Sequence, residues 1–361
     1  MYAPLMAALP THDIVVIGAS AGGLDAVTNV VRSLPSNLAA SVFIVIHTSP
    51  EGPGLLPDIL VRLGTIPVTA ARDNERIVRG HIYVPPADFH LLVADGRVRL
   101  SHGPREHRFR PAVDPLFRSA AEHYGARVIG VVLSGSMADG THGLMLIKSR
   151  GGVAIVQDPD EALFPAMPRS AIERVNVDHV LPSEQIGAVI TELTMVRAAR
   201  PRSRAKLKPR KARPRESSPE RPGVDALRSG ALNTPPSPFT CPDCGGTLWE
   251  LKEGKFVRYR CHVGHGFSGE SLAAAQENKL EETLWSALRA IEESIALRRR
   301  LLERGRASHL ATITPGVTRD IGDLEQRATA LRELLLSGAG SVGRHVGVSR
   351  GRSAGSGSTR R

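Results

Sequence analysis

Six short runs of almost uninterrupted apolar residues, many β-branched, punctuate the first half of the chain, at 13–17, 42–47, 68–71, 128–133, 153–156 and 179–181. Segments of helix length lie between several of them, at 23–32, 54–63, 113–124, 143–150 and 183–197. A strand apolar at nearly every position is covered on both faces. Alternation with helices is the pattern of a mainly parallel sheet. Residues 12–196 are therefore predicted to form a doubly wound α/β domain with helices on both faces of the sheet. One stretch departs from this pattern. Residues 81–84, 90–93 and 98–101 read as short antiparallel strands, the last two joined through Asp95-Gly96, a pair suited to a tight hairpin turn.

The first run ends in Gly18-Ala19-Ser20-Ala21-Gly22-Gly23, just ahead of a helix. A dinucleotide-binding loop needs glycine where Ser20 stands, so that a pyrophosphate can approach the backbone. It also needs an acid near the end of the second strand, where this chain has Ile46-His47-Thr48. Gly-x-Ser-x-Gly at a strand-to-helix turn instead fits a nucleophile elbow with Ser20 at its tip. A plain helix N-cap is the other reading of Ser20. A nucleophilic serine needs a base and an orienting carboxylate. His47 closes the second strand, and Asp139 lies in the loop Ser134-Gly135-Ser136-Met137-Ala138-Asp139-Gly140 after a later one. All three fall at carboxyl ends of strands, where doubly wound domains gather functional groups. Asp139 could also be simply a turn residue before Gly140. Among the other histidines, His142 is the strongest rival base because it lies close to Asp139 in sequence.

All three cysteines of the chain fall between Cys241 and Cys261. Cys241-Pro242-Asp243-Cys244 supplies a C-x2-C pair, and Cys261 with His265 supplies C-x3-H. Three thiolates and one imidazole complete a tetrahedral structural zinc site, and the clustered, odd count speaks for a metal in a reducing compartment rather than a disulfide framework. The expected ligands are Cys241, Cys244, Cys261 and His265, with His262 as the alternative to His265. Beyond the module at 236–267, residues 268–336 are predicted to be helical. Leu280, Leu284, Leu288, Ile291 and Ile295 form one apolar seam, answered by Ile321, Leu324, Leu331 and Leu335. A hairpin within the chain and a coiled coil between two chains both fit, the second implying self-association.

The net charge of +11 would ordinarily suggest nucleic acid. It is local, however. Residues 197–222 carry +9 and residues 344–361 carry +5, which leaves the remainder at −3. Both basic stretches are rich in Pro, Ser or Gly and too poor in apolar residues to fold, so 197–235 reads as a disordered linker and 337–361 as a disordered tail. Nucleic acid drops to a minor option. The longest apolar runs are far shorter than a membrane span of ~20 residues. No basic n-region precedes an apolar stretch at the N-terminus, and the expected location is cytoplasmic.

Residues 13–190 resemble the catalytic domain of CheB-type protein-glutamate methylesterases. The residues that carry the resemblance are Gly18 to Gly23, Ile46-His47, the stretch 84–91 (Val84-Pro85-Pro86 to Leu91), Val113-Asp114-Pro115-Leu116-Phe117, Leu133-Ser134-Gly135 with Asp139-Gly140, and Gln157-Asp158-Pro159 with Met167-Pro168. The resemblance implies a doubly wound fold and hydrolysis of glutamate γ-methyl esters on chemoreceptor-type signalling proteins, often with deamidation of glutamines. It needs no catalytic cofactor. It puts Ser20 at the nucleophile, His47 at the base, Asp139 at the orienting acid and the Ser136 backbone N–H at the oxyanion. The family usually has Gly-Met-Gly-x-Asp-Gly where this chain has Gly135-Ser136-Met137-Ala138-Asp139-Gly140, so a side chain replaces the second glycine. The C-terminal module looks like the zinc-ribbon extension of some stand-alone members. With about a dozen residues ahead of the first strand, the expectation is a stand-alone form without the receiver domain of typical members. The alternative function is a non-catalytic regulatory or binding protein of the same fold.

Overall fold

The computed structural model of the chain describes residues 12–195, 235–307 and 314–338, apart from 53, 65, 254 and 255. The expected basic linker, save its last residue, and the tail beyond Gly338 lie outside the described residues. The chain divides into two compact units, the first ending at Ala275 and the second starting at Gln276.

The strands of the first unit, in chain order, are β1 (Ile14–Ala19), β2 (Ser41–Ile46), β3 (Val68–Ala70), β4 (His81–Val84), β5 (His90–Ala94), β6 (Arg97–Ser101), β7 (Val128–Val132), β8 (Val153–Gln157) and β9 (His179–Leu181). Seven of them form one sheet in the order β3-β4-β2-β1-β7-β8-β9, parallel throughout. Between them lie α1 (Gly23–Arg32), α2 (Leu56–Val61), α3 (Val113–Tyr124), α4 (Thr141–Ser149), α5 (Ala166–Arg174) and α6 (Ser183–Met195). Every residue of β1 and β2 is buried, which is why these segments read as apolar at successive positions. Ile14, Val16, Phe43 and Val45 face one layer, which includes Leu116 and Phe117 of α3 and Leu144 of α4. Val15, Ile17, Val42 and Ile44 face the other, built from Val27 and Val30 of α1 and Ile186 and Ile190 of α6. The doubly wound α/β expectation therefore holds.

Two local expectations need correction. Residues 81–84 do not belong to the antiparallel excursion: β4 lies inside the parallel sheet between β2 and β3. Ile82, Tyr83 and Val84 are all buried, as an interior strand requires. Only β5 and β6 form the antiparallel hairpin, and Asp95 and Gly96 turn it with φ of 51° and 72°. Helix α5 has no counterpart in the sequence reading, and Pro168 lies within it. In the first turn of a helix, however, the missing N–H is not needed.

The cysteine module folds as a four-stranded antiparallel sheet in the order β10 (Pro236–Thr240), β11 (Thr247–Glu253), β12 (Phe256–Cys261) and β13 (Gly266–Ser268). Its small core holds Leu248, Phe267 and Leu272 beside Cys241 and Cys261. Helix α7 (Gly269–Ala307) follows, and α8 (Thr314–Gly338) completes the described chain. In the second unit, Leu288 and Ile295 of α7 pack with Ile321, Ala328 and Leu335 of α8. The apolar seam from Leu284 to Ile295 is thus covered within one chain, while Leu280 at its start is exposed.

Gly18 fixes the approach of α3 to the sheet. A Cβ built there would lie 2.2 Å from Cγ1 of Val113, the first residue of α3. Gly18→Ala should therefore lower stability by about 1–3 kcal/mol in urea unfolding, the usual range for overpacking a filled core. An unchanged midpoint would contradict the close contact.

Candidate active site and metal centre

The strand order reverses at β1, with β2 on one side and β7 on the other. Such a reversal opens a crevice beyond the carboxyl ends of the strands. Ser20 follows β1 and His47 follows β2 directly. Their backbones extend the ladder, with Ser20 N–H donating to Ser134 O at 2.9 Å and His47 N–H to Ala19 O at 3.2 Å. The N-cap of α1 is Gly22, in a left-handed conformation at φ 66°, with no side-chain capping bond. Ser20 is therefore not the cap, and its hydroxyl points elsewhere. The Ser20 Oγ lies 2.9 Å from His47 Nδ1, and His47 Nε2 lies 2.7 Å from Asp139 Oδ2.

Asp139 is buried, yet it is richly partnered. It accepts from the N–H groups of Val113 at 2.7 Å, Asp114 at 2.9 Å and Gly140 at 2.8 Å, in addition to His47. Two of these donors belong to the first turn of α3 and the third caps α4, so two helix N-termini converge on the carboxylate. An anionic Asp139 fixes the proton of His47 on Nε2. The Nδ1 lone pair then faces Ser20, ready to take its proton. Phe109 stacks on the imidazole with ring centroids 3.8 Å apart and planes 11° from parallel, which limits ring rotation.

The loop after β7 passes beside the serine. A Cβ built on Gly135 would stand 2.8 Å from the Ser20 Cβ and 2.1 Å from Met167 Sδ. Gly135 N–H donates to Phe164 O, and Ser134 N–H donates to Gln157 Oε1 at 2.7 Å. Ser136, next in the loop, is exposed. Met137 sits at φ 68°, a left-handed conformation that disfavours a bulky side chain. Met137 stands where the resembled pattern Gly-Met-Gly-x-Asp-Gly has its second glycine. An apolar cleft of about 370 Å³ lies at the same edge, lined by Leu24, Ile46, Leu55, Leu56, Val84 and Pro111 among others.

Three neighbours of the site went unrecognised as such in the sequence. Asp114 accepts from Gly143 N–H at 2.8 Å and from His107 Nε2 at 3.1 Å. Burial opposes its ionisation, but the hydrogen bond and charge of His107 outweigh this and hold its carboxyl below the usual range. Burial likewise opposes protonation of His107, and the Asp139 charge and the Asp114 hydrogen bond prevail, raising its pKa. Phe109 is the third. Asp114 could have been suspected as an acid in the first turn of a helix; His107 and Phe109 carry no local signal. His142, the rival base, instead has its Nδ1 3.1 Å from Arg258 Nη1.

In the cysteine module, one donor atom each from Cys241, Cys244, Cys261 and His265 lies within 4.8 Å of all the others. Cys244 Sγ is 3.7 Å from Cys261 Sγ, and His265 Nδ1 is 3.5 Å from Cys261 Sγ and 3.7 Å from Cys241 Sγ. Tetrahedral zinc with bonds of about 2.3 Å to sulfur separates its sulfur ligands by about 3.8 Å. No disulfide joins the three cysteines, and the 3.7 Å between Cys244 Sγ and Cys261 Sγ is well beyond the ~2.05 Å of an S–S bond. His262 is exposed and stands outside this group. The donor set and its spacing fit a closed structural site.

A parallel-sheet domain with serine, histidine and aspartate in one relay at its topological switch point is the arrangement of a serine hydrolase. The family model for CheB methylesterase matches residues 15–190. A putative protein-glutamate methylesterase/protein-glutamine glutaminase of Leptospira interrogans is 40% identical over 183 residues, covering 50% of this chain and 95% of that protein. Protein-glutamate methylesterase/protein-glutamine glutaminase 2 of Anaeromyxobacter dehalogenans is 38% identical over 182 residues, and a Pyrococcus abyssi protein-glutamate methylesterase/protein-glutamine glutaminase is 34% identical over 194. This chain spans 53% of the length of each of those two. The crystal structure of the Thermotoga maritima CheB methylesterase catalytic domain is 35% identical, covers 50% of this chain and 98% of its own, and superposes with a TM-score of 0.49. The chain belongs to the CheB methylesterase family.

The metal geometry gives a direct expectation. The purified full chain should carry about one zinc ion per molecule by elemental analysis, and Cys261→Ser should release it together with hydrogen-exchange protection of residues 236–268. Full protection in the metal-free protein would remove the ion from the account of this module.

Proposed function

We propose that this chain hydrolyses glutamate γ-methyl esters on chemoreceptor-type signalling proteins, and that it deamidates glutamines there by the same route. The observation that carries the reading is the unbroken relay from the Ser20 hydroxyl through His47 to the buried Asp139. Ser20 Oγ attacks the ester carbonyl while His47 Nδ1 takes its proton. Asp139 keeps its charge and stabilises the resulting imidazolium. The oxygen of the tetrahedral intermediate is held by the backbone N–H of Ser136, the one exposed residue of its loop. His47 returns its proton to the leaving methoxide, and methanol departs. Water then attacks the acyl-enzyme with His47 again as base, giving a glutamate carboxylate and free Ser20. With a glutamine substrate the leaving group is ammonia. No cofactor enters these steps.

The Cys241, Cys244, Cys261 and His265 site takes a structural zinc, since its four donors leave no open position for substrate. No helix among the described residues is long and apolar enough to cross a membrane, and we assign the protein to the cytoplasm, whose reducing conditions suit thiolate ligands. If the C-terminal helices also join two chains, the surface for it is their outward leucines, such as Leu280, Leu297 and Leu301, which are exposed.

Ser20→Ala should reduce methanol release from a methylated receptor fragment by several orders of magnitude while leaving unfolding unchanged. Wild-type turnover in that variant would sink the catalytic reading and leave a binding protein of the same fold.

A further inference from the structure

Residues 105–109 connect the cysteine module to the relay. Glu106 and Phe109 exchange backbone hydrogen bonds of 3.2 and 2.9 Å, and the two residues between them, His107 and Arg108, both have positive φ, at 50° and 73°. Two successive left-handed residues without glycine are costly and persist only where their surroundings hold them. Here the module does the holding. His107 N–H donates to Gly266 O of β13 at 2.8 Å, and Gly266 N–H reaches Arg105 O at 3.4 Å. His107 Nδ1 lies 3.2 Å from Ser271 Oγ.

Glu106 is clamped as well. It is buried and makes a paired contact with Arg118 at 2.6 and 2.8 Å. Strand β12 adds Arg258 at 3.5 Å and Arg260 at 3.8 Å, both buried. Burial opposes its charge, but the arginines prevail and hold its carboxyl well below the ordinary range. Arg258 also reaches His142 of α4, and Arg174 of α5 pairs with Glu270. The module thus meets the catalytic region through a buried cluster of Arg258 and Arg260 on Glu106 and through the more exposed Arg174–Glu270 pair.

The inner side of the same turn faces the relay. His107 Nε2 lies 3.1 Å from Asp114 Oδ2 and 3.7 Å from Asp139 Oδ1, while Phe109 stacks on His47. Two carboxylates this close repel each other, and an N–H placed between them relieves that strain without competing for the Asp139 oxygen that His47 uses. We propose that His107 is a positioning residue for the esterase, set against Asp114 and Asp139 by the cysteine module, so that the module is a working part of the active site. The inference rests on the roles given above to Ser20, His47 and Asp139.

The test uses the full-length chain with its metal, a methylated receptor fragment, and four variants: His107→Leu, His107→Gln, Ser271→Ala and Ser20→Ala. The glutamine amide can place an N–H where Nε2 stands, whereas leucine fills similar space without a donor. His107→Leu should lower kcat about tenfold or more, the scale of a small displacement of a catalytic group, with KM within about twofold. His107→Gln should recover most of that loss. Ser271→Ala, made on the module side, should lower kcat a few-fold at unchanged zinc content. Equal kcat in the leucine variant and wild type, or equal losses in the leucine and glutamine variants, overturns the inference. If His107→Leu does not fold, Ser271→Ala decides: a lowered kcat supports the inference and a wild-type kcat overturns it. Should Ser20→Ala retain turnover, the catalytic assignment itself falls; should it be inactive while His107→Leu and Ser271→Ala are unimpaired, only the present inference falls.

Discussion

Asp139 carries a charge in a place that water does not reach. Taking a carboxylate out of water costs several kcal/mol unless hydrogen bonds replace its hydration. Here three backbone N–H groups and the His47 ring supply that replacement. Those donors exist only because α3 and α4 both begin at this point. Helix α3 can begin there only because Gly18 lets Val113 close on β1. The sheet order, the glycine, the two helices and the acid are one arrangement, and His47 gains its orientation from it. Ser20 is then held by the backbone ladder beside the imidazole.

Much of this could be read from residue order. The interior strands are apolar at every position because both faces are covered, and that pattern survives in the bare sequence. Ser20, His47 and Asp139 each stand just past such a run, so the switch-point rule could pick them without coordinates. What the sequence does not specify is partnership. Residues 81–84 have the same composition whether they pair in parallel or in a hairpin, and only the distant strands β2 and β3 decide it. The bare sequence likewise leaves Ser20 open as a helix cap, whereas in the structure Gly22 occupies that place.

The cysteine module shows the same division. Its four metal donors follow from spacing, because C-x2-C and C-x3-H are local. Its docking does not, because Arg258, Arg260 and Ser271 lie more than 130 residues beyond Glu106 and His107. Arginines alternating along a strand read as a solvated face. They are instead buried against Glu106, a residue with no distinguishing context of its own. Composition misleads similarly: residues 197–222 and 344–361, which carry +9 and +5, lie outside the described residues, and Arg118, Arg258 and Arg260 all gather on the one carboxylate of Glu106.

The central claim is that a buried, charged Asp139 makes Ser20 nucleophilic through His47. The rate at which a fluorophosphonate probe labels Ser20 tests it without any receptor substrate. Asp139→Asn preserves shape but removes the charge that fixes the His47 proton on Nε2. Labelling at Ser20, read by mass spectrometry, should slow by about a thousandfold or more in that variant, the scale of losing the orienting acid in a serine relay. Equal labelling rates in the two proteins would contradict the account.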